Sequence, residues 1–307
     1  MTSHEFINLN VILGHTVIFS QNNGWLLRDD RSAISLPTLE NINPTRLELR
    51  AIFSKGAKII TFKTDTITRN SYEYVFEGNS YGMEQFDSKA RNQIRKGLKS
   101  CLVIDAALED LIKEGYSINT QTLAKQERNV DYLGSKDKWI DYISKLQKHK
   151  DVYIKGAYAV NKLIAYTVFI KVLDKYYIYH PFMDRNHSAL CPMNAIIYTF
   201  INEVLKNENA INISYGMASY AEKSGLDNFK KSMLFAEVEC TRVTAINPWL
   251  KLMVNRYGSK MIKLIAKTKL IDKSYVNKYE YLLANKYNYN EYIELMCTSS
   301  KLPPRKR

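Results

Sequence analysis

His180 ends the run Tyr176-Tyr177-Ile178-Tyr179, and an imidazole titrates close enough to neutrality to take a proton from a nucleophile, directly or through a water. A polar residue at a strand end can equally serve a loop carbonyl. Tyr215 and Tyr220 flank Gly216, where a phenol can protonate a leaving group or hold a substrate. The chain has 22 tyrosines, so packing is the commoner use of any one of them. Glu222, just beyond, is a second base. Arg185-Asn186-His187-Ser188 offers a run of donors that suits phosphate or plain solvent. Arg91, Arg95 and Lys96 stand at i, i+4 and i+5 and share one side of a helix, either to bind phosphate or to face water opposite Ile94 and Leu98. The chain contains no Gly-x-Ser-x-Gly elbow and no cysteine-nucleophile motif, which agrees with chemistry that forms no covalent intermediate.

The elements expected to hold these residues fall in two stretches. In the first, apolar runs at 11–20 and 25–28 flank Gln21-Asn22-Asn23-Gly24 and read as strands about a turn. Residues 45–54 have helical spacing with Gly56 as C-cap, and 58–63 and 72–77 read as strands. A basic helix at 88–99 leads to a strand at 101–104 and helices at 105–114, 119–128 and 136–149. In the second stretch, strands at 152–160 and 163–173 meet at Asn161-Lys162, and a third strand follows at 175–179. A polar connection at 184–191 enters a helix at 192–206, followed by a strand at 211–215, a loop, a helix at 226–234 and a strand at 236–245. A meander joined to one β-α-β crossover splays two strands and points a helix N-terminus at the gap, a setting for phosphate.

Composition limits the class. Of 307 residues 46% are apolar and 24% charged, the balance of a folded α+β protein rather than a disordered one. Cys101, Cys191, Cys240 and Cys297 form no close pair, which argues against a disulfide framework or a zinc site and suits a reducing compartment. No signal-like stretch opens the chain, and its most apolar run, Leu163 to Ile170, is too short to cross a bilayer; a cytoplasmic protein is expected. Of the net charge of +13, +9 lies beyond residue 249, with 13 Lys and Arg against 4 Asp and Glu. Such a surface attracts RNA, anionic lipid or phosphorylated donors, or reflects lysine filling solvent positions.

Three segments carry a family resemblance. Ser88 to Lys99 is similar to a basic helix of form S-x-x-x-R-x-x-I-R-K-A, with Gly97 where alanine is usual. Tyr176 to Tyr179 leads through a polar loop into the helix at 193–204. Ile211 to Gly216 followed by Gly225-Leu226-Asp227-Asn228-Phe229-Lys230-Lys231 resembles a strand ending in glycine and then a G-L-x-x-F-K segment. Together they resemble the GNAT acyltransferases, and more narrowly the Fem-type branch of peptidoglycan-bridge aminoacyltransferases and related proteins, many linked to polysaccharide synthesis and the cell envelope. The resemblance implies a GNAT-like mixed sheet flanked by helices, in two tandem halves with a helical extension. The expected divisions are 1–115, 116–247 and 248–300, with a disordered tail at 301–307.

The resemblance also implies transfer of an acyl group from acyl-CoA to an amine of a sugar, amino acid or envelope precursor. In that reading His180, Tyr215 and Glu222 are catalytic. Arg185, Asn186, His187, Ser188, Gly216 and Lys230 meet the donor, and Tyr177, Tyr179 and Tyr220 meet the acceptor. No permanent cofactor or metal is expected. An aminoacyl-tRNA donor is the first alternative, suggested by the basic C-terminal region. A non-catalytic GNAT-like binding protein is the second, suggested by departures from the family pattern: Met217-Ala218 stands in place of an arginine, and Arg185-Asn186-His187-Ser188-Ala189 is the only counterpart of the Gly-rich phosphate turn.

Overall fold

A computed structural model describes residues 1–21, 23–65, 70–125, 130–218, 224–268, 273–285 and 292–294. It opens on helix α1 (Ser3–Ile12), where a strand was expected from residue 11. The N-terminal signal decides the matter: Thr2 N donates to Glu5 Oε2 (2.6 Å) and Glu5 N donates to Thr2 Oγ1 (3.2 Å), a capping box that satisfies two early donors. Strands β1 (Thr16–Phe19), β2 (Gly24–Leu27) and β3 (Ser32–Leu36) form an antiparallel meander. Helix α2 (Arg46–Ser54) then crosses over to β4 (Ile59–Thr64), parallel to β3.

After β5 (Ser71–Gly78) come α3 (Ser88–Ser100), β6 (Leu102–Asp105), and helices α4 (Leu108–Asp110), α5 (Tyr116–Lys125), α6 (Asp131–Gly134) and α7 (Lys136–Leu146). The first pattern then repeats. Strands β7 (Val152–Ala159), β8 (Lys162–Val172) and β9 (Lys175–Met183) are a meander, and α8 (Pro192–Asn207) crosses over to β10 (Ile211–Met217), parallel to β9. Helix α9 (Ser224–Ser232), strand β11 (Ala236–Ile246) and helices α10 (Pro248–Met253), α11 (Arg256–Lys267) and α12 (Lys273–Asn285) complete the described chain. The expected tail at 301–307 lies outside the described residues.

The described strands form one sheet in the order β1-β2-β3-β4-β11-β5-β10-β9-β8-β7-β6. Its centre is an exchange. Strand β5 follows the first meander-crossover unit yet pairs with β10 of the second, whereas β11 follows the second unit and pairs with β4 of the first. The two exchanged strands also pair with each other.

Burial on both faces explains the near-continuous apolar run of β8. Val168 and Ile170 join a core beneath α1, α5 and α7, while Phe169 enters the opposite core, beneath α3 and α8, and stacks on Phe200 at 3.6 Å. A third core gathers Trp25, Leu49, Ile52 and Phe62 under α2.

Candidate active site

The site begins where two strands separate. β9 and β10 pair only at Lys175↔Asn212, Tyr176↔Ile213 and Tyr177↔Ser214, although β9 runs on to Met183 and β10 to Met217. Each strand carries an irregularity just past the last pair. In β10 the register with β5 shifts between Ser214 and Met217, and Gly216 takes φ +89, with Gly216 N donating to Ser214 Oγ at 3.0 Å. In β9 the register with β8 shifts between Val168↔Tyr179 and Tyr166↔Phe182, and His180 takes φ +47. A bulge bends its strand and raises the local twist, so two bulges at one level turn the strands away from each other. The splaying of two strands expected from the meander and crossover is present, and it falls beside Gly216.

A cavity of about 340 Å³ opens at the parting. Tyr177, Ile178 and Tyr179 line it from β9, and Gly216, Met217 and Ala218 from the end of β10. The first half closes it with Ile34, Thr38, Leu39, Thr61 and Phe62, and the cations Arg28 and Arg242 complete the lining. The size and the mix of apolar walls with few polar groups suit a small-molecule site.

Among the described lining residues the charged groups are Arg28 and Arg242. Arg242, 5% exposed, donates from Nη2 to the Ala218 carbonyl at 2.7 Å and sets Nε 3.0 Å from Met217 Sδ. Its backbone is held as well, since Asn70 accepts from Arg242 N at 2.8 Å and donates to Arg242 O at 3.0 Å. Lys63, whose Nζ reaches the carbonyl of the lining residue Leu39 at 3.1 Å, pairs with Glu73 at 2.6 Å, and Lys175 pairs with the other Glu73 oxygen at 2.6 Å. Burial works to raise the Glu73 pKa, but Lys175 and Lys63 outweigh it and hold the carboxyl below its ordinary range. Burial pushes both Tyr177 and Tyr179 well above the usual phenol range, with Glu40 adding to the rise at Tyr177 and Tyr132 at Tyr179. Both are protonated donors at neutral pH.

Of the residues singled out from sequence, the cavity gathers Tyr177, Tyr179 and Gly216. His180 does not line it: its Nε2 lies 2.8 Å from Tyr142 Oη, and its ring sits among Tyr132, Tyr142 and Phe182. Tyr215 turns towards Phe229 and Phe235, its phenol pushed up by burial. Lys230 is buried at the base of α9, with Nζ 4.2 Å from the Tyr74 ring centre, 5.3 Å from that of Tyr215 and 3.9 Å from Asp227 Oδ1. Such an ammonium is held by aromatic faces. Tyr220 and Glu222 lie outside the described residues.

Arg185, Asn186, His187 and Ser188 form a short 3-10 turn before α8, organised by buried Asp184, which accepts from Asn186 N and meets His187 Nδ1, both at 3.0 Å. Arg185, Asn186 and Ser188 are exposed. The sequence reading aims the start of α8 at the gap, but no α8 residue lines the cavity. The reason is the face: Tyr177 and Tyr179 pack towards the α1, α5 and α7 side, while α8 packs against α3 on the other. Sequence reasoning misses Arg28, Thr38, Thr61 and Arg242, which only the folding of the first half onto β9 and β10 brings there. Among the described residues no His, Cys, Asp and Glu cluster suits a metal, and no helix is long and apolar enough to cross a membrane.

No family model and no curated protein sequence matches the chain. Solved structures do. The C-terminal domain of a protein described as a lysylphosphatidylglycerol synthetase, from Agrobacterium fabrum, aligns at a TM-score of 0.50 with 10% identity over 78% of this chain and 92% of its own. FemX aligns at 0.48 with 8% identity over 78% of this chain and 94% of its own. A predicted acetyltransferase from Clostridium acetobutylicum, solved with acetyl-CoA, aligns at 0.33 with 18% identity over 43% of this chain and 87% of its own. The meander-crossover units, the parted strands and the likeness to the Agrobacterium domain identify the architecture: this chain has a GNAT-like mixed-sheet fold, shared with that domain.

Proposed function

We propose that the protein is an acyltransferase that moves an acyl group from an acyl-CoA-type thioester to the amine of a small anionic acceptor, such as an amino acid, sugar derivative or envelope precursor. The observation that carries this reading is the parting of β9 from β10 beside Gly216, with a cavity on one face of the sheet and the turn at 185–190 on the other. In this reading the donor's phosphates meet Arg185, Asn186, His187 and Ser188 ahead of α8. Its thioester passes through the gap, and the acceptor waits in the cavity.

The chemistry follows from what those groups can do. A neutral amine attacks the thioester carbonyl, the C–N bond forms as the C–S bond breaks, and the thiol leaves with the proton the amine gives up. Main-chain N–H groups on the parted edge of β9 are fixed dipoles suited to the developing oxyanion. Tyr177 and Tyr179, held protonated, hydrogen-bond the acceptor, and Arg28 and Arg242 supply counter-charge for its anionic group. His180, held in the β9 bulge by Tyr142, positions Tyr179 next to it.

The test uses the full-length protein. Acetyl-CoA should raise the melting temperature, since a ligand at a hundredfold excess over its Kd adds about 2.7 kcal/mol, and a panel of amino acids and amino sugars should include one that releases free thiol. Gly216→Asn, which puts a side chain in the gap with a residue type that best tolerates positive φ, should lower the melting temperature because of the strain at φ +89, yet still melt cooperatively and lose the acetyl-CoA shift. A folded parent that no acyl-CoA stabilises would overturn the reading. Retention of aminoacyl-tRNA in its place would assign the donor to tRNA.

A further inference from the structure

The polypeptide after β11 builds a surface of a different kind. α11 is held from one side: Ser259 donates to Glu280 of α12, Lys263 pairs with Glu280 at 3.0 Å, and Ser259 is buried. Away from that contact, Tyr257, Met261 and Leu264 recur at i, i+4 and i+7, which places them on one stripe of the helix. α10 is separated from α11 only by Val254 and Asn255, and it adds Trp249, Leu252 and Met253 at i, i+3 and i+4. These six side chains are between 62% and 82% exposed. Elsewhere exposed large apolar residues come singly, as at Leu47 and Val160, or in pairs, as at Val11 and Ile12 or Leu102 and Ile104, and need no explanation. Six large ones on two consecutive short helices are an interaction surface.

Charge selects the occupant. Arg256, Lys260, Lys263 and Lys267 recur at i, i+4, i+7 and i+11, a second stripe beside the first, and α11 itself carries no acidic residue. An apolar strip of Trp, Leu, Met and Tyr bordered by a line of Lys and Arg fits a plane that is apolar inside and anionic at its rim. Nucleic acid would use the cations and leave Leu252, Met261 and Leu264 without a partner. A second copy of the chain would bring its own basic stripe against this one.

We propose that α10 and α11 dock the protein on an anionic lipid surface, with Trp249, Leu252, Met261 and Leu264 entering the headgroup boundary and Lys260 and Lys267 pairing with lipid phosphates. The helices lie in the plane of the membrane and do not span it. The proposal stands apart from the reading of the catalytic cavity, which can fail without affecting it.

The fold supplies the reporter. Of the three tryptophans, Trp25 and Trp139 are fully buried and Trp249 is exposed, so a change in emission on adding vesicles belongs to Trp249. Full-length protein is mixed with vesicles of phosphatidylcholine and phosphatidylglycerol, or of phosphatidylcholine alone. The expected result is a blue shift, protection from acrylamide and co-sedimentation with the anionic vesicles, weakening as salt is raised. Leu252→Ser with Leu264→Ser should abolish the blue shift. Lys260→Gln with Lys267→Gln should weaken partitioning roughly thirtyfold, at about 1 kcal/mol for each cation near the surface. All four positions are exposed, so these variants should keep the parent's melting temperature. No blue shift on anionic vesicles overturns the proposal. So does tRNA retention lost in the lysine variant but untouched in the leucine variant without any lipid response, and so does a dimer in solution that the leucine variant breaks without any lipid response.

Discussion

Glu73 sits 1% exposed between Lys63 and Lys175, at 2.6 Å from each, and joins β4, β5 and β9 below the cavity. A buried triad of this kind is costly to leave incomplete, because removing the carboxylate strands two ammonium groups away from water. Glu73→Gln should therefore lower stability by about 3–5 kcal/mol in urea unfolding near neutral pH. The sign of the pH dependence follows from the depressed pKa. The folded form holds the carboxylate more strongly than the unfolded chain does, so the contribution is complete above the ordinary glutamate range and is lost as pH falls through the depressed value. The gap between parent and variant should shrink with acidification through that window. A gap independent of pH would show that the ion pairs are not its source.

Gly97 shows how one side chain sets the distance between two helices. A Cβ there would lie 2.5 Å from the Cys191 carbonyl oxygen and 3.0 Å from Ala195 Cβ, so α3 and the start of α8 approach more closely than any other residue allows. This accounts for glycine where the related pattern has alanine. In an exposed helix, glycine to alanine is worth about 1 kcal/mol of added stability; here Gly97→Ala should lower the melting temperature instead. The obstructing atom belongs to a backbone that begins α8 in the left-handed region, with Cys191 at φ +55. Relief of the clash would shift the turn at 185–190 with it. A variant more stable than the parent would mean that the helices separate at no cost.

The exchange of β5 and β11 ties the two meander-crossover units together. Each unit has its final sheet partner supplied from the other's side of the chain, β11 against β4 and β5 against β10. Neither unit can leave without exposing the paired edge of the other, so unfolding should be one cooperative event. Trp25 lies in the core under α2, and Trp139 in the core under α1, α5 and α7. In urea, a variant with only Trp249 replaced, whose indole emission reports both cores, should give the same midpoint by fluorescence as by far-UV circular dichroism. Separate midpoints would show that the halves are independent despite the shared sheet.

Local pattern settled a good deal of this protein. Pro192 and the apolar spacing that follows it mark α8, the apolar run at 163–170 marks a strand, and glycine at 216 marks the end of β10, because each of these depends on near neighbours alone. The GNAT-like order of elements is legible for the same reason. α1 escapes because Val11 and Ile12 continue its apolar run towards β1, although Thr2 and Glu5 carry the cap. What local pattern cannot carry is which residues meet across the sheet. Arg28 and Arg242 stand in ordinary strand-end and strand contexts, and become a cationic pair only because β3, β4 and β11 close over the gap between β9 and β10. His180 looks from sequence like a free base at a strand end, yet a bulge that depends on the register of β8 and β9 turns its imidazole to Tyr142. Register, strand exchange and the face on which a cavity opens are properties of long-range pairing, so the folded sheet decides them.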